Sequence, residues 1–265
     1  MECPVLLVID VGNTQTVVGL YNTGERSHEL LDHWRLATRP DRTGDELALV
    51  LRDLLATRDL ELASDVAGVA ISSGVPVVTA ELRRVCERYI GIEPVVLGAG
   101  VRTGMPVLYD NPKEVGADRI ANAVGAHDLY GGPTIVVDFG TATTFDVISA
   151  GGEYLGGAIF PGIEISLDAL FGRAAALRQV ELVEPRNVIG KTTVESVQSG
   201  ALYGYSAMVD GMCARIEATL GEATIIATGG LAPLIASVAE SIEYTEPWLT
   251  LHGLRLIWEK NSDRD

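Results

Sequence analysis

Cysteine is scarce in this chain. The three present, Cys3, Cys86 and Cys213, stand far apart and form no CxxC pair, which argues against a disulfide framework and against structural zinc. Histidine is equally thin. His28, His33, His127 and His252 show no metal-ligand spacing, and each reads as a packed or solvated side chain. No run of about 18 uninterrupted apolar residues occurs, so no membrane span is expected. Met1 to Pro4 leads straight into a strand-like segment without the pattern of a signal peptide, and the expected location is the cytoplasm. Basic residues are short too. Twenty Lys and Arg face 36 Asp and Glu, for a formal charge of −16. Such acidity disfavours nucleic acid as a partner. An anionic ligand must be met by backbone N–H groups, a few arginines or bound cations.

What is present is an ordinary globular composition, 47% hydrophobic and 21% charged over 265 residues, enough for one large or two medium domains. Val5 to Ile9 reads as a buried strand ending at Asp10, Thr16 to Tyr21 as its return, and His33 to Ala37 as a third strand. Gly44 to Thr57 has helical spacing, with Leu47, Leu51, Leu54 and Leu55 on one stripe. Val66 to Ile71 is another buried strand, and a helix follows Pro76. Glu114 to Leu129 reads as a helix. The plan then recurs. Thr134 to Val137 is a strand ending at Asp138, Thr144 to Ile148 returns, and Tyr154 to Phe160 makes a third strand, ended by Pro161-Gly162. Ile163 to Ala175 and Thr193 to Leu220 read as helices, and Thr224 to Ala227 as a strand running into Thr228-Gly229-Gly230. Along the second helix Gly200, Gly204, Met208, Met212, Ile216 and Leu220 recur at four-residue steps. That stripe suits either a partner helix or the core of its own lobe.

The recurrence has a motif at its centre. Asp10-Val11-Gly12-Asn13-Thr14-Gln15-Thr16 and Asp138-Phe139-Gly140-Thr141-Ala142-Thr143-Thr144 share D-x-G-x-x-x-T, and each follows an apolar strand. The simplest account is two lobes of like topology, residues 1–130 and 131–265, divided at the turn-rich Gly131-Gly132-Pro133. A turn rich in Gly and Thr exposes N–H groups and hydroxyls that hold phosphate oxygens. The Asp beside it can hold a hydrated cation, which offsets the repulsion between carboxylate and phosphate. Two lobes closing on a triphosphate would keep water from the transfer step.

Two other phosphate patterns fail. Gly190-Lys191-Thr192 resembles the end of a Walker A loop, but the required earlier Gly is Pro185. Gly98-Ala99-Gly100 lacks the third Gly of a dinucleotide fingerprint, since position 103 is Thr103. A further constellation is Gly116-Ala117-Asp118-Arg119, with Asn122 one helical turn beyond Asp118. Arg119 can grip a carboxylate bidentately, and Asp118 can accept a hydroxyl proton. On spacing alone, an ordinary surface ion pair explains the same residues.

Taken together, these segments resemble the type III pantothenate kinases of bacteria, within the superfamily of acetate and sugar kinases, Hsp70 chaperones and actin. The resemblance rests on Asp10-Val11-Gly12-Asn13-Thr14, Trp34-Arg35-Leu36-Ala37-Thr38, Ile71-Ser72-Ser73, Gly116-Ala117-Asp118-Arg119-Ile120-Ala121-Asn122, the Asp138 to Thr144 segment, Pro161-Gly162, Gln198-Ser199-Gly200 and Thr228-Gly229-Gly230. It implies an α/β fold of two similar lobes with ribonuclease H-like, actin-like topology. Each lobe would be a mixed five-stranded sheet flanked by helices, with a cleft at the centre. The implied activity is ATP-dependent phosphorylation of pantothenate to 4′-phosphopantothenate, the first step toward coenzyme A, with Mg²⁺ bridging the terminal phosphates.

The resemblance also implies roles. Asp10, Val11, Gly12, Asn13, Thr14, Gln15, Thr16 and Val17 would bind the ATP phosphates, and Thr141 would contact ATP. Gly116, Ala117, Asp118 and Arg119 would bind pantothenate, with Asp118 as proton acceptor and Tyr109 and Thr193 as further contacts. Asp138 would hold a monovalent cation, potassium or ammonium, and Thr228 to Gly230 would meet the adenosine. Relatives act as homodimers, and the Thr193 contact can come from the partner subunit. Two departures stand out. Val17 and Val18 replace a Lys found in some relatives, and Thr192 replaces an Asn common before the substrate-contacting Thr. The same fold also serves phosphatases, other sugar and acid kinases, non-catalytic regulators and actin-like assembly proteins. The joint presence of Asp10, Asp118, Arg119 and Asp138 argues for a working kinase, and the G-A-D-R motif has no evident purpose in an assembly protein.

Overall fold

A computed structural model describes residues 4–23, 29–174 and 177–262. Cys3, His28 and Ala175 lie outside them. The chain divides into two compact units. The first comprises Met1–Met105, Asp110–Gly125 and Thr250–Asp265, and the second Pro106–Tyr109 and Ala126–Leu249.

The first unit is built on a mixed five-stranded sheet. Strand β1 (Val5–Val11) pairs antiparallel with β2 (Gln15–Asn22), which pairs antiparallel with β3 (Leu30–Ala37). On its other edge β1 runs parallel to β4 (Val66–Ser73), and β4 to the short β5 (Val95–Val96). The order is β3-β2-β1-β4-β5. β1 is covered on both faces, which is why it reads as an unbroken apolar run. Over one face lie α1 (Gly44–Ala56) and α2 (Pro76–Val85), whose Leu51, Leu55, Val78 and Leu82 join Leu7, Ile9, Val18, Leu20 and Ile71 in one core. α1 opens with a reciprocal capping box between Thr43 and Glu46, and Pro76 opens α2. α2 runs on into a π-helical turn, Cys86–Ile90, closed by left-handed Gly91. The opposite face meets α7 (Leu249–Ser262). Leu251 and Trp258 occupy the space that a Cβ on Gly19 or Gly68 would need. Gly253 in turn lets α7 lie against the backbone of Ala121, in α3 (Ala117–Tyr130).

The second unit repeats the plan. β6 (Thr134–Phe139) pairs antiparallel with β7 (Ala142–Ile148), and β7 with β8 (Tyr154–Pro161). β9 (Thr224–Thr228) runs parallel to β6, and β10 (Tyr244–Thr245) parallel to β9. The order is β10-β9-β6-β7-β8. This is the connectivity of the first sheet, as the repeated motif leads one to expect. α4 (Ile163–Arg173), the long α5 (Thr193–Leu220) and α6 (Ala232–Ala236) complete the unit. Leu202, Val209 and Cys213 of α5 bury against Ile135, Val137, Phe145 and Ile225. Among the described residues no helix is long and apolar enough to cross a membrane.

Two expectations need correction. The helix anticipated from Glu114 begins at Ala117. Pro112–Glu114 forms a separate 3-10 turn capped by Asn111, and Val115 is extended at φ −77°, ψ 125°. Asp118 therefore lies in the first turn of α3. The Gly200–Leu220 stripe does not stay on one face. An α-helix turns about 400° over four residues, so each step drifts by about 40°. Met208, Met212, Ile216 and Leu220 pack against the core of their own unit. Gly200 and Gly204 are exposed, and a Cβ on either would meet no heavy atom within 4 Å.

Candidate phosphate and substrate site

The first hairpin turns through three residues, Gly12 to Thr14, between β1 and β2. Gly12 N–H donates to Gln15 O at 2.9 Å. The turn is also held from the end of β3. Thr38 Oγ1 donates to Gly12 O at 2.7 Å, Thr38 N–H to Thr14 O at 3.0 Å, and the Thr16 and Thr38 hydroxyls pair at 2.9 Å. Arg35 Nη1 donates to Gln15 Oε1 at 3.1 Å. Asn13, Thr14 and Gln15 are exposed, Asp10, Gly12 and Val17 half-buried, and Val11 and Thr16 buried. The segment thus presents its tip to solvent and anchors its flanks in the sheet. Thr38 belongs to the Trp34 to Thr38 segment. Its tie to a glycine 26 positions earlier leaves no local signature.

The second hairpin turns through only two residues, Gly140 and Thr141, with Gly140 N–H donating to Ala142 O at 3.1 Å. The shorter turn changes the register. Asp10 faces Val17 across its ladder, whereas Asp138 faces Thr144. The final Thr of the shared D-x-G-x-x-x-T is therefore not equivalent in the two units. Thr16 stands opposite Val11, and its true counterpart is Thr143, opposite Phe139. The repeat is structural as far as the Gly and coincidental beyond it.

Around the second turn, space is tight. Gly162 N–H donates to Thr141 O at 3.1 Å, and a Cβ on Gly162 would run into the carbonyls of Gly140 and Thr141. Gly162 is the N-cap of α4, so α4 opens beside the turn and contributes the unpaired N–H groups of a helix start to that locality. Asp138 pairs in register with Thr228 on β9, and Gly229 follows at φ +91°. The described residues contain no cluster of three or more His, Cys, Asp or Glu able to cage a metal. A single carboxylate beside a Gly-Thr turn fits a cation that keeps most of its coordination from phosphate, water and carbonyl oxygens.

The G-A-D-R segment opens α3. Ile120 N–H closes the first helical bond on Gly116 O at 3.2 Å. Asp118 is exposed, and its Oδ1 accepts Arg119 N–H at 2.9 Å. The carboxylate folds back over Gly116, where a Cβ would collide with it. Arg119 is buried and Asn122 fully so. Asn122 Oδ1 accepts Thr250 Oγ1 at 2.7 Å, tying α3 to α7. The first unit thus carries Asp10, the Gly12–Thr14 turn, Gly116, Ala117, Asp118 and Arg119.

The second unit carries Asp138, Thr141, Tyr109 and Thr193. Tyr109 is partly exposed, and its ring lies over Gly156, whose φ is +114°. The strand-like segment before it pairs with β8 through Leu108 N–H to Tyr154 O at 2.8 Å and Tyr154 N–H to Pro106 O at 2.9 Å. Thr193 is the first residue of α5. Thr192 is the N-cap, its Oγ1 accepting Glu195 N–H at 3.1 Å. This accounts for the departure noted above, because Thr and Asn are both favoured caps. Glu195 also accepts Lys191 N–H and Arg186 Nε, and chiefly the Arg186 bond holds its carboxyl below the usual range. The Gly190-Lys191-Thr192 string that mimicked a Walker A loop is the lead-in to this cap. Thr193 borders a groove of about 410 Å³ between α4 and α5, with Ser166, Leu170, Ser196, Gly200 and Tyr205.

The family model for type III pantothenate kinase matches residues 6–215. The type III pantothenate kinase of Streptomyces griseus is 55% identical over 98% of this chain and 99% of its own. That of Myxococcus xanthus is 51% identical over 97% and 98%. Among solved structures, a Baf family protein from Campylobacter jejuni superposes with a TM-score of 0.61 at 18% identity, over 97% of this chain and 99% of its own. The inorganic polyphosphate/ATP-glucomannokinase of Arthrobacter sp. strain KM gives 0.51 at 13% identity, over 97% and 99%. At such identities the structural likenesses speak to the fold alone. The sequence likenesses go further, and by them the chain belongs to the type III pantothenate kinase family.

Proposed function

We infer that this protein is a pantothenate kinase, transferring the γ-phosphoryl group of ATP to pantothenate and so taking the first step of coenzyme A biosynthesis. The observation that carries the reading beyond family membership is the pair of like hairpins. Each places an Asp two residues before a glycine turn, in units of identical sheet connectivity. In this reading each of the two units carries one phosphate-binding motif, Asp10 to Val17 in the first and Asp138 to Thr144 in the second.

The roles follow from the chemistry available. The segment Asp10 to Val17 binds the ATP phosphates. The exposed Asn13 and Thr14 offer N–H and hydroxyl donors at the tip, and Val11 and Thr16 anchor it. Thr141 contacts ATP, and the Thr228–Gly230 turn meets the adenosine. Asp10 bears on the magnesium that accompanies ATP, and Asp138 on a monovalent cation, potassium or ammonium. Such ions, when bound, offset the phosphate charge that an acidic chain cannot neutralise itself. Gly116, Ala117 and Tyr109 seat pantothenate, and Arg119 grips its carboxylate. A buried guanidinium strengthens that charge-assisted pair.

Asp118 takes the proton of the 4′-hydroxyl as the oxygen–phosphorus bond forms. The bond from the γ-phosphorus to the β–γ bridging oxygen breaks, and ADP leaves. Phosphoryl transfer depends mostly on alignment and charge stabilisation, so the base assists a reaction that the turns have already arranged.

Thr193 completes the substrate contacts from the partner subunit of a homodimer, and the enzyme works in the cytoplasm. Support for the dimer comes from the partly apolar groove that Thr193 and Gly200 border, and from the exposed surface at Gly200 and Gly204, where an added Cβ would meet no heavy atom within 4 Å. Sedimentation equilibrium alongside an activity assay tests it. A dimer that loses activity on dilution to monomer is expected, and a fully active monomer would refute the partner's role.

A further inference from the structure

Ser72 stands beside Asp10 across the parallel β1–β4 ladder. It is 1% exposed, and its hydroxyl has no hydrogen-bond partner among the described residues. A buried hydroxyl left unpaired carries a desolvation penalty, and such a group calls for an explanation.

Its surroundings supply one. Paired residues of neighbouring strands project to the same side of a sheet, so Ser72 and Asp10 share a face, the one covered by α7. The residues of β4 that precede Ser72 on that face, Gly68 and Ala70, are small and apolar. Alanine at 72 would continue the series without an unmet donor. The second unit repeats the arrangement. Thr228, also buried, pairs with Asp138 across the parallel β6–β9 ladder. A hydroxyl residue thus flanks the motif carboxylate at the same topological position in both units.

We propose that Ser72 is a positioning residue for Asp10. With nucleotide bound, the Ser72 hydroxyl would donate to a carboxylate oxygen of Asp10 and so fix the orientation of the carboxylate that would hold the accompanying cation. Outer hydrogen bonds of this kind set the direction and basicity of a ligating group. A serine hydroxyl has one proton to give and needs no other chemistry to give it. The inference rests on the placement of Asp10 at the ATP phosphates.

The test uses the full chain and three variants, Ser72→Ala, Ser72→Thr and Asp10→Asn. Binding of a non-hydrolysable ATP analogue is measured by calorimetry across a magnesium titration, alongside the thermal midpoint of the ligand-free protein. For Ser72→Ala the ligand-free midpoint should stay level or rise, because an unmet donor is removed. Its magnesium-dependent nucleotide affinity should fall roughly 10-fold or more, with the pantothenate KM unchanged. Ser72→Thr, which keeps the hydroxyl, should recover most of the affinity, but Ser72→Ala alone decides. Wild-type nucleotide binding in Ser72→Ala overturns the proposal. So does a drop in midpoint with equal loss for both substrates, which is the mark of a merely structural residue. Asp10→Asn separates the two levels. If it weakens binding and Ser72→Ala does not, only the role of Ser72 fails. If Asp10→Asn binds like wild type, the phosphate placement of Asp10 fails as well.

Discussion

Gly229 is pressed against Asp138. A Cβ at position 229 would lie 2.6 Å from Asp138 Oδ1 and 2.7 Å from the backbone of Phe139, and the residue's φ of +91° is one that side-chain-bearing residues avoid. Gly229→Ala should therefore destabilise the fold by about 1–3 kcal/mol and displace the carboxylate. Urea denaturation reads the first effect. A potassium titration of activity reads the second, and the titration curve should flatten or shift to higher concentration.

Asp118→Asn keeps the shape of the side chain and removes the carboxylate proposed as proton acceptor. Turnover should fall by roughly 10²–10⁴ with the fold intact. Arg119→Ala should raise the KM for pantothenate far more than that for ATP. Steady-state kinetics on both substrates check these outcomes. Near-normal turnover in Asp118→Asn would remove it from the role, and equal weakening of both substrates in Arg119→Ala would count against a carboxylate grip.

Thr192 caps α5 directly before the proposed substrate contact. Thr192→Ala should cost about 1 kcal/mol and Thr192→Asn close to nothing. Chemical denaturation gives both numbers. If the cap also orients Thr193, the alanine variant should show a raised pantothenate KM and the asparagine variant should not.

Three buried acids contribute to a loss of stability at alkaline pH. Burial pushes Tyr21 from 10.0 up to about 12, against the opposing charge of Arg255. Burial likewise pushes Cys86 from 9.0 up to about 12 and Cys213 from 9.0 to about 11. A group harder to ionise when folded lends stability that is whole below its unfolded pKa and is lost as pH rises through the folded value. The urea midpoint should therefore hold steady up to pH 9 and fall between pH 9 and 12. In a Cys3→Ser background, both remaining thiols should react with a thiol reagent only as fast as the protein unfolds.

Much of this was legible from the chain, and the remainder was hidden for physical reasons. Apolar runs such as Val5 to Ile9 and the long periodic helix from Thr193 to Leu220 are local signals, and both elements stand where they were expected. The motif carboxylates were visible because each ends such a run. The start of α3 was misjudged because Glu114 is a good helix former, whereas Pro112 and extended Val115 break the chain there. Equating Thr16 with Thr144 failed because motif spacing does not record turn length. Thr38 and Ser72 stand in segments that carry the resemblance, but no role for either is legible there because their partners come from register. Only the paired ladders bring Thr38 to Gly12 and Ser72 beside Asp10. The tilt of the Gly200 stripe follows from 3.6 residues per turn and was available in principle.

The most direct measurement is ADP formation by the purified protein from Mg-ATP, with and without pantothenate and with and without potassium, with the phosphorylated product identified by mass. ADP should appear only when pantothenate is present, in equal amount to 4′-phosphopantothenate, and faster with potassium. ATP turnover indifferent to pantothenate, or none under any of the four conditions, would contradict the account.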